Sequence, residues 1–369
     1  MFLAWKEIKK EKTRFVMIIL VTTLIAYLVY FLTGLAYGLA SANTTSVEHW
    51  EANGVVLSKA ANENIYASSI DEEIVEKLNL KKSEALNVAS TVVSTNDKDN
   101  QFDLVLMGIE EKSKLVLPKI VEGKTIKNTD EIVLSEAFKK EANVTIGDSI
   151  KVISTGRIFR IVGFTEKSEY NTQTVGYVSL EMASQEMMLY QTGDESVDAS
   201  TTSTPNMPKR VSSLLVNEEI SAKELKKYDL VYLPMKEFIN TIPGYQAQLL
   251  TFGLMIISLI MISAVIISIF MYILTMQKKS IFAILKIQGI GNGYISRSVV
   301  FQTFIVSVVG TVLGVAFTLL TFNFLPSQVP VEMNWPITGM ISVLFLICSL
   351  LGSLFSARSI LKIDPLDAL

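Results

Sequence analysis

The chain has 369 residues, half of them hydrophobic, and a formal net charge of −3 at pH 7. So small and slightly acidic a balance leaves no electrostatic footprint for nucleic acid. A single cysteine, Cys348, excludes an intrachain disulfide, a zinc knuckle and a CxxC redox pair.

Taken in order, residues 1–14 are basic: Lys6, Lys9, Lys10, Lys12 and Arg14 stand against Glu7 and Glu11. They read as an amphipathic helix, Phe2 to Thr13, lying on a membrane surface with Trp5 at the interface. No charge then occurs from Phe15 to Val47, and residues 15–41 supply the roughly 20 apolar positions a membrane-crossing helix needs. Ala40-Ser41-Ala42 resembles a leader cleavage site, but the run far exceeds the 7–15 residues, roughly, of a secretory core, so an uncleaved anchor is expected. Gly34 and Gly38 stand at GxxxG spacing, which lets helices approach closely, either within one subunit or across a dimer seam. His49 has no second metal ligand near it in sequence and reads as a solvated imidazole beside Trp50. That indole is expected at the membrane interface.

Residues 42–246 are polar and of domain length, with short strand-like runs between turns. Strands are expected at Gly54 to Leu57, Phe102 to Met107, Glu131 to Leu134, Ser149 to Ile153 and Ile158 to Phe164. Ser135 is placed to cap a helix through Ala142, followed by a turn from Asn143 to Gly147. The Ser/Thr/Asp/Pro-rich stretch from Thr192 to Pro208 reads as a surface excursion. This is an α+β domain.

The last third carries three more uncharged runs, Leu249 to Thr275, Val299 to Phe324 and Ile337 to Ala357. They give spans at 247–276, 298–325 and 337–357. Between the first two, residues 277–297 hold Lys278, Lys279, Lys286 and Arg297 and no acid. Ile281 to Ile287 within that loop is an apolar helical run able to dock a partner, although its lysines also serve simple topology. Residues 326–336 form a short loop with Glu332 and no basic residue, ending at Trp335, a second interfacial indole. The tail, 358–369, adds Arg358 and Lys362. Positive charge stays cytoplasmic, which puts both termini and the lysine-rich loop inside and the α+β domain and short loop outside. The fold class is an α-helical membrane protein with four transmembrane helices, one plus three, and a large α+β extracytoplasmic domain between the first and second. Gly310 and Gly314 repeat the GxxxG spacing in the third span.

No GxxxxGK[ST] loop, HExxH or nucleophile elbow occurs, so no catalytic residue and no cofactor of its own is expected. The spans hold no Asp, Glu, Lys or Arg, which argues against an ion-coupled carrier. Energy for any transport must come from another subunit.

The layout of helix, large domain and three helices resembles the MacB/FtsX-type ABC permeases. The loop Ile284-Leu285-Lys286-Ile287-Gln288-Gly289 is similar to that family's coupling segment, with Ser280 and Phe282 where an acid and a glycine are usual. The tail Lys362-Ile363-Asp364-Pro365-Leu366-Asp367-Ala368-Leu369 resembles its closing signature. Glu131 to Ser135, Gly147-Asp148 and Ile161 to Phe164 are similar to its outer core domain. The opening Leu3-Ala4-Trp5-Lys6-Glu7-Ile8-Lys9, the segment Gly34 to Ala40 and Tyr245-Gln246-Ala247 resemble the HrtB-type permeases of Gram-positive haem exporters.

The resemblance implies a cell-membrane homodimer whose cargo is haem, with ATP bound by a separate ABC subunit. It implies that Leu285, Lys286, Gly289, Asp364 and Pro365 meet that subunit. It also makes Tyr170 and Tyr245, and more distantly Tyr37, candidate haem contacts, since phenolate ligates ferric haem. Lipoprotein, peptide or antimicrobial cargo, or transmission of ATPase motion to an outside hydrolase without transport, remain open.

Overall fold

A computed structural model describes residues 9–95, 100–111, 113–185, 210–218, 220–326 and 329–361. Trp5 with most of the Phe2 to Thr13 segment, the Thr192 to Pro208 stretch, and the tail with Asp364 and Pro365 lie outside the described residues. The chain divides into two compact units, Met1–Gly38 with Gln248–Leu369, and Leu39–Ala247.

The first helix, α1 (Lys12–Glu48), contributes residues to both units. Its polar side chains do not break it, because several turn back on its own carbonyls. Thr33 Oγ1 donates to Val29 O at 2.7 Å, Asn43 Nδ2 to Leu39 O at 2.8 Å and Thr45 Oγ1 to Ser41 O at 2.7 Å.

The α+β unit is built on strands β1 (Gly54–Ser58), β2 (Ile70–Asp71), β3 (Ser83–Thr95), β4 (Gln101–Ile109), β5 (Ile120–Gly123), β6 (Glu131–Ser135), β7 (Ser149–Val152), β8 (Ile158–Thr165), β9 (Glu169–Tyr170), β10 (Gln173–Ser179), β11 (Arg210–Val211), β12 (Ser213–Val216) and β13 (Leu230–Pro234). The main sheet runs β13-β1-β12-β3-β4-β10-β6-β8-β5, with β7 against β3 and β8, and β9 on β10. β2 and β11 pair separately. Short helices α2 (Glu72–Leu78), α3 (Glu136–Ala142), α4 (Ala222–Lys227) and α5 (Met235–Thr241) pack on it.

Side chains alternate across a strand, and here both sheet faces are covered. Val105, Met107, Val133, Val175 and Tyr177 enter one core. Their neighbours Leu104, Leu106, Ile132, Leu134 and Val178 enter another on the opposite face. Two buried faces turn an alternating pattern into a continuous apolar run, which is why β4 and β6 stand out in the sequence. β3 does not. It is the longest strand described, yet it is rich in Ser, Thr and Asn. Its start pairs with β12 and its later residues with β4 and β7, so one strand joins two parts of the sheet. At the crossing, buried Asn87 accepts from Ser212 N–H at 2.7 Å, while Ser212 Oγ accepts from Val88 N–H at 3.1 Å. A polar bracket holds the crossing between the two parts of the sheet.

The helical unit contains α6 (Tyr245–Gln277) from Gln248 onward, α7 (Lys279–Ile287), α8 (Asn292–Phe324) and α9 (Trp335–Leu361). With α1, three of these are long and apolar enough to cross a membrane. Close approach is made at glycines. A Cβ on Gly310 would lie 2.6 Å from Thr22 Cγ2, and one on Gly314 would lie 2.7 Å from Ala26 Cβ. Both GxxxG pairs therefore pack within the subunit. Gly34 and Gly38 seat the residues before α9, with Glu332 N–H donating to Gly34 O at 3.1 Å and the Pro330 carbonyl occupying the space a Cβ on Gly38 would need. Likewise, Ser268 Oγ on α6 donates to Gly352 O on α9 at 2.6 Å. Outward positions such as Leu250, Leu254, Phe317 and Met340 are exposed and apolar, the composition of a lipid-facing surface.

Candidate functional site

The tyrosine candidates fall in different surroundings. Tyr170 ends β9, and Asn171 and Thr172 both take positive φ, 51° and 65°. That is the two-residue turn whose twist suits a tight hairpin. Positive φ is unusual for a β-branched residue such as Thr172. The turn is held because its N–H groups donate to α1: Asn171 to Asn43 O at 3.2 Å and Thr172 to Ala42 O at 3.0 Å. Folding back in this way buries Tyr170 to 2% exposure, with its ring edge-on to Tyr66 at 5.9 Å. Burial, with Tyr66 adding to it, pushes the Tyr170 phenol well above its ordinary range. At the edge of that turn Tyr170 is a core residue, and iron could not reach it without that core opening.

Tyr245 starts α6. Its N–H donates to Ile242 O at 3.1 Å across Pro243-Gly244, and Gly244 has φ 80°. Pro then Gly at these positions makes a type II turn, which only a residue free to adopt positive φ allows. Tyr245 is half-buried against the same core that encloses Tyr170, and part of it remains accessible. Tyr37 lies on α1 in the helical unit, also half-buried.

The neighbouring indole corrects an expectation. Trp50 is not at an interface but buried in the α+β core, stacked on Phe238 at 5.9 Å, with its Nε1 unpaired. Neither periodicity nor composition distinguishes an interfacial indole from a core one beside a helix end. His49 is part-exposed, with Nε2 3.9 Å from Glu166 Oε2. Among the described residues no cluster of three His, Cys, Asp or Glu could hold a metal.

The segment that resembles the family's coupling loop is the helix α7 and its stop. Phe282 and Ala283 are buried in the helical unit and Leu285 packs part-buried on it. Ile281, Ile284 and Ile287 form an exposed apolar row at a spacing of three. Lys286, part-exposed, lies between the two faces. At Gly289, φ is 84°; its N–H donates to Lys286 O and that of Ile290 to Leu285 O, both at 3.0 Å. This is a Schellman stop, in which glycine takes the left-handed position and Ile290 meets Leu285 apolar to apolar. The segment thus presents a terminated amphipathic helix.

Residues 253–365 match the FtsX-like permease C-terminal family. Across its full length the chain is 26% identical to a Staphylococcus haemolyticus protein named hemin transport system permease protein HrtB, the alignment covering 100% of this chain and 99% of that one. A namesake from Staphylococcus epidermidis is 26% identical over 379 residues, again covering 100% and 99%. Among solved structures, the extracellular domain of the ABC-type transporter YknZ from Gram-positive bacteria aligns with 53% of this chain and 94% of its own, at 16% identity and a TM-score of 0.31. The FtsX-type resemblance read from the loop and tail is matched over residues 253–365, and the similarity to proteins named HrtB runs along the whole chain.

Proposed function

We propose that this chain is the permease subunit of an ABC exporter that removes haem from the membrane, working as a homodimer with ATP hydrolysed by a separate subunit. The full-length similarity to proteins named for hemin transport carries this reading. The contacts that Gly310, Gly314 and Ser268 make between spans, built from glycines and a hydroxyl, suit an amphiphile that already partitions into lipid. Both termini and α7 lie in the cytoplasm and the α+β unit outside, by the distribution of lysine and arginine. ATP binding moves the ATPases, α7 receives the motion through its exposed isoleucine row, and α6 and α8 carry it into the membrane.

Of the three tyrosines, Tyr245 and Tyr37 are the ones haem reaches while the α+β core stays closed. Tyr170 contributes only if its contact with Tyr66 parts. The test is the sensitivity of cells lacking the chain. Hypersensitivity to hemin, reversed by the chain with its ATPase and absent for peptide antibiotics and cell-wall inhibitors, supports haem as cargo. Hypersensitivity confined to the other agents overturns it.

A further inference from the structure

Lys278 belongs to the lysine-rich loop that reads as topological charge, yet it is one of the more enclosed side chains described in the helical unit, with its side chain only 6% exposed. Its place is the joint between α6 and α7. Its N–H donates to Thr275 O at 3.2 Å, closing α6, and its carbonyl accepts from Phe282 N–H at 3.0 Å, opening α7. From that joint the side chain reaches the foot of α1. Nζ stands 3.8 Å from Glu11 Oε1 and 5.7 Å from the ring centroid of Phe15, itself buried. The other oxygen of Glu11, Oε2, is 3.3 Å from Arg14 Nη1.

A solvated topological lysine would need none of this. An ammonium enclosed beside a carboxylate and an aromatic face resists separation, because parting them gives up a charge pair and a cation–π contact in a poorly solvated place. The contact also joins two elements far apart in sequence that meet at the same end of the helical unit.

We infer that Lys278 is a positioning residue for coupling: through Glu11 and Phe15 it fixes the start of α7 to the foot of α1, so that a push on α7 reaches α1 as well as α6. This rests on the assignment of α7 as the ATPase-facing element. A displacement of α7 would otherwise be absorbed by the bend at the joint.

The experiment has one arm that needs no ATPase and no cargo. In a Cys348→Ser background, Phe282→Cys places a thiol on the buried face of α7, and its rate of maleimide labelling is measured on the full chain in membranes. Lys278→Met and Glu11→Gln each raise that rate several-fold, and Lys278→Arg, which keeps the charge, leaves it near the parent value. In the second arm the same variants, without the thiol, are assembled with the ATPase. Lys278→Met and Glu11→Gln lower cargo export per ATP hydrolysed and Lys278→Arg retains it. Labelling unchanged in Lys278→Met and Glu11→Gln, or raised as much by Lys278→Arg, overturns the inference. The expected labelling pattern with no export by any variant, parent included, leaves the latch intact and rejects the exporter assignment.

Discussion

Glu131 shows how one buried carboxylate organises the α+β unit. Burial raises its pKa, but hydrogen bonds from Lys127 N–H, the Asn128 side chain and N–H, and Arg160 outweigh that and hold the carboxyl below its ordinary value. A depressed folded-state pKa means that this stabilisation is present above the unfolded value, near 4.5, and lost as pH falls through the folded one. Glu131→Gln keeps the shape but loses the charge and turns one of the two accepting oxygens into an NH2 donor facing other donors. We expect it to cost about 1–3 kcal/mol at neutral pH, and the gap from the parent to narrow as pH falls below that unfolded value. Thermal scans of the intact chain in detergent across that range check both. At the same scale, Tyr245→Phe should reduce haem absorbance of the purified complex, and Tyr170→Phe should leave it unchanged. Equal losses in both would place iron in the core beside Tyr66. The sequence singled out both tyrosines but could not separate them, because exposure depends on a hairpin folding back onto α1. Trp50 was placed wrongly for the same reason: enclosure is a long-range property.

Elements were more legible than residues. Apolar runs marked β4 and β6 because both faces of those strands are covered, and Ser135 marked the start of α3, its Oγ accepting from Ala137 N–H at 3.2 Å. β3 escaped because its partners, not its side-chain character, make it a strand. The glycine pairs were visible as motifs, and the open question was which surfaces they join. Within the subunit, Gly314 faces the backbone of α1, whereas Gly253 on α6 has nothing within 4 Å of a Cβ. Gly314→Leu should therefore destabilise the helical unit by about 1–3 kcal/mol or more, seen as lower membrane accumulation and faster proteolysis. Gly253→Leu should be tolerated in the same assays. A folded Gly314→Leu chain that only fails to dimerise would assign that glycine to a dimer seam. At the end of α7, Gly289→Ala should loosen the Schellman stop by roughly 1 kcal/mol. Coupling should weaken while insertion is kept; normal export efficiency would show that the stop is not transmitted.

For the whole molecule, segregation of charge and hydropathy laid out one helix, a domain and three helices before any coordinates. What stayed illegible is the part that depends on contact between distant segments, such as the enclosure of Lys278 or the seating of Pro330 and Glu332 on Gly38 and Gly34. Cargo chemistry is also absent from periodicity, since no charged or metal-binding cluster announces it. With no P-loop in the sequence, the purified chain should hydrolyse no ATP, and turnover by it free of contaminants would contradict the division of labour between subunits.

The most direct measurement is transfer of hemin from proteoliposomes holding the chain and its ATPase to apomyoglobin outside, followed by Soret absorbance. The account predicts transfer that requires hydrolysable ATP and both subunits and is slowed by Tyr245→Phe. Transfer at the same rate without ATP or without this chain would contradict it.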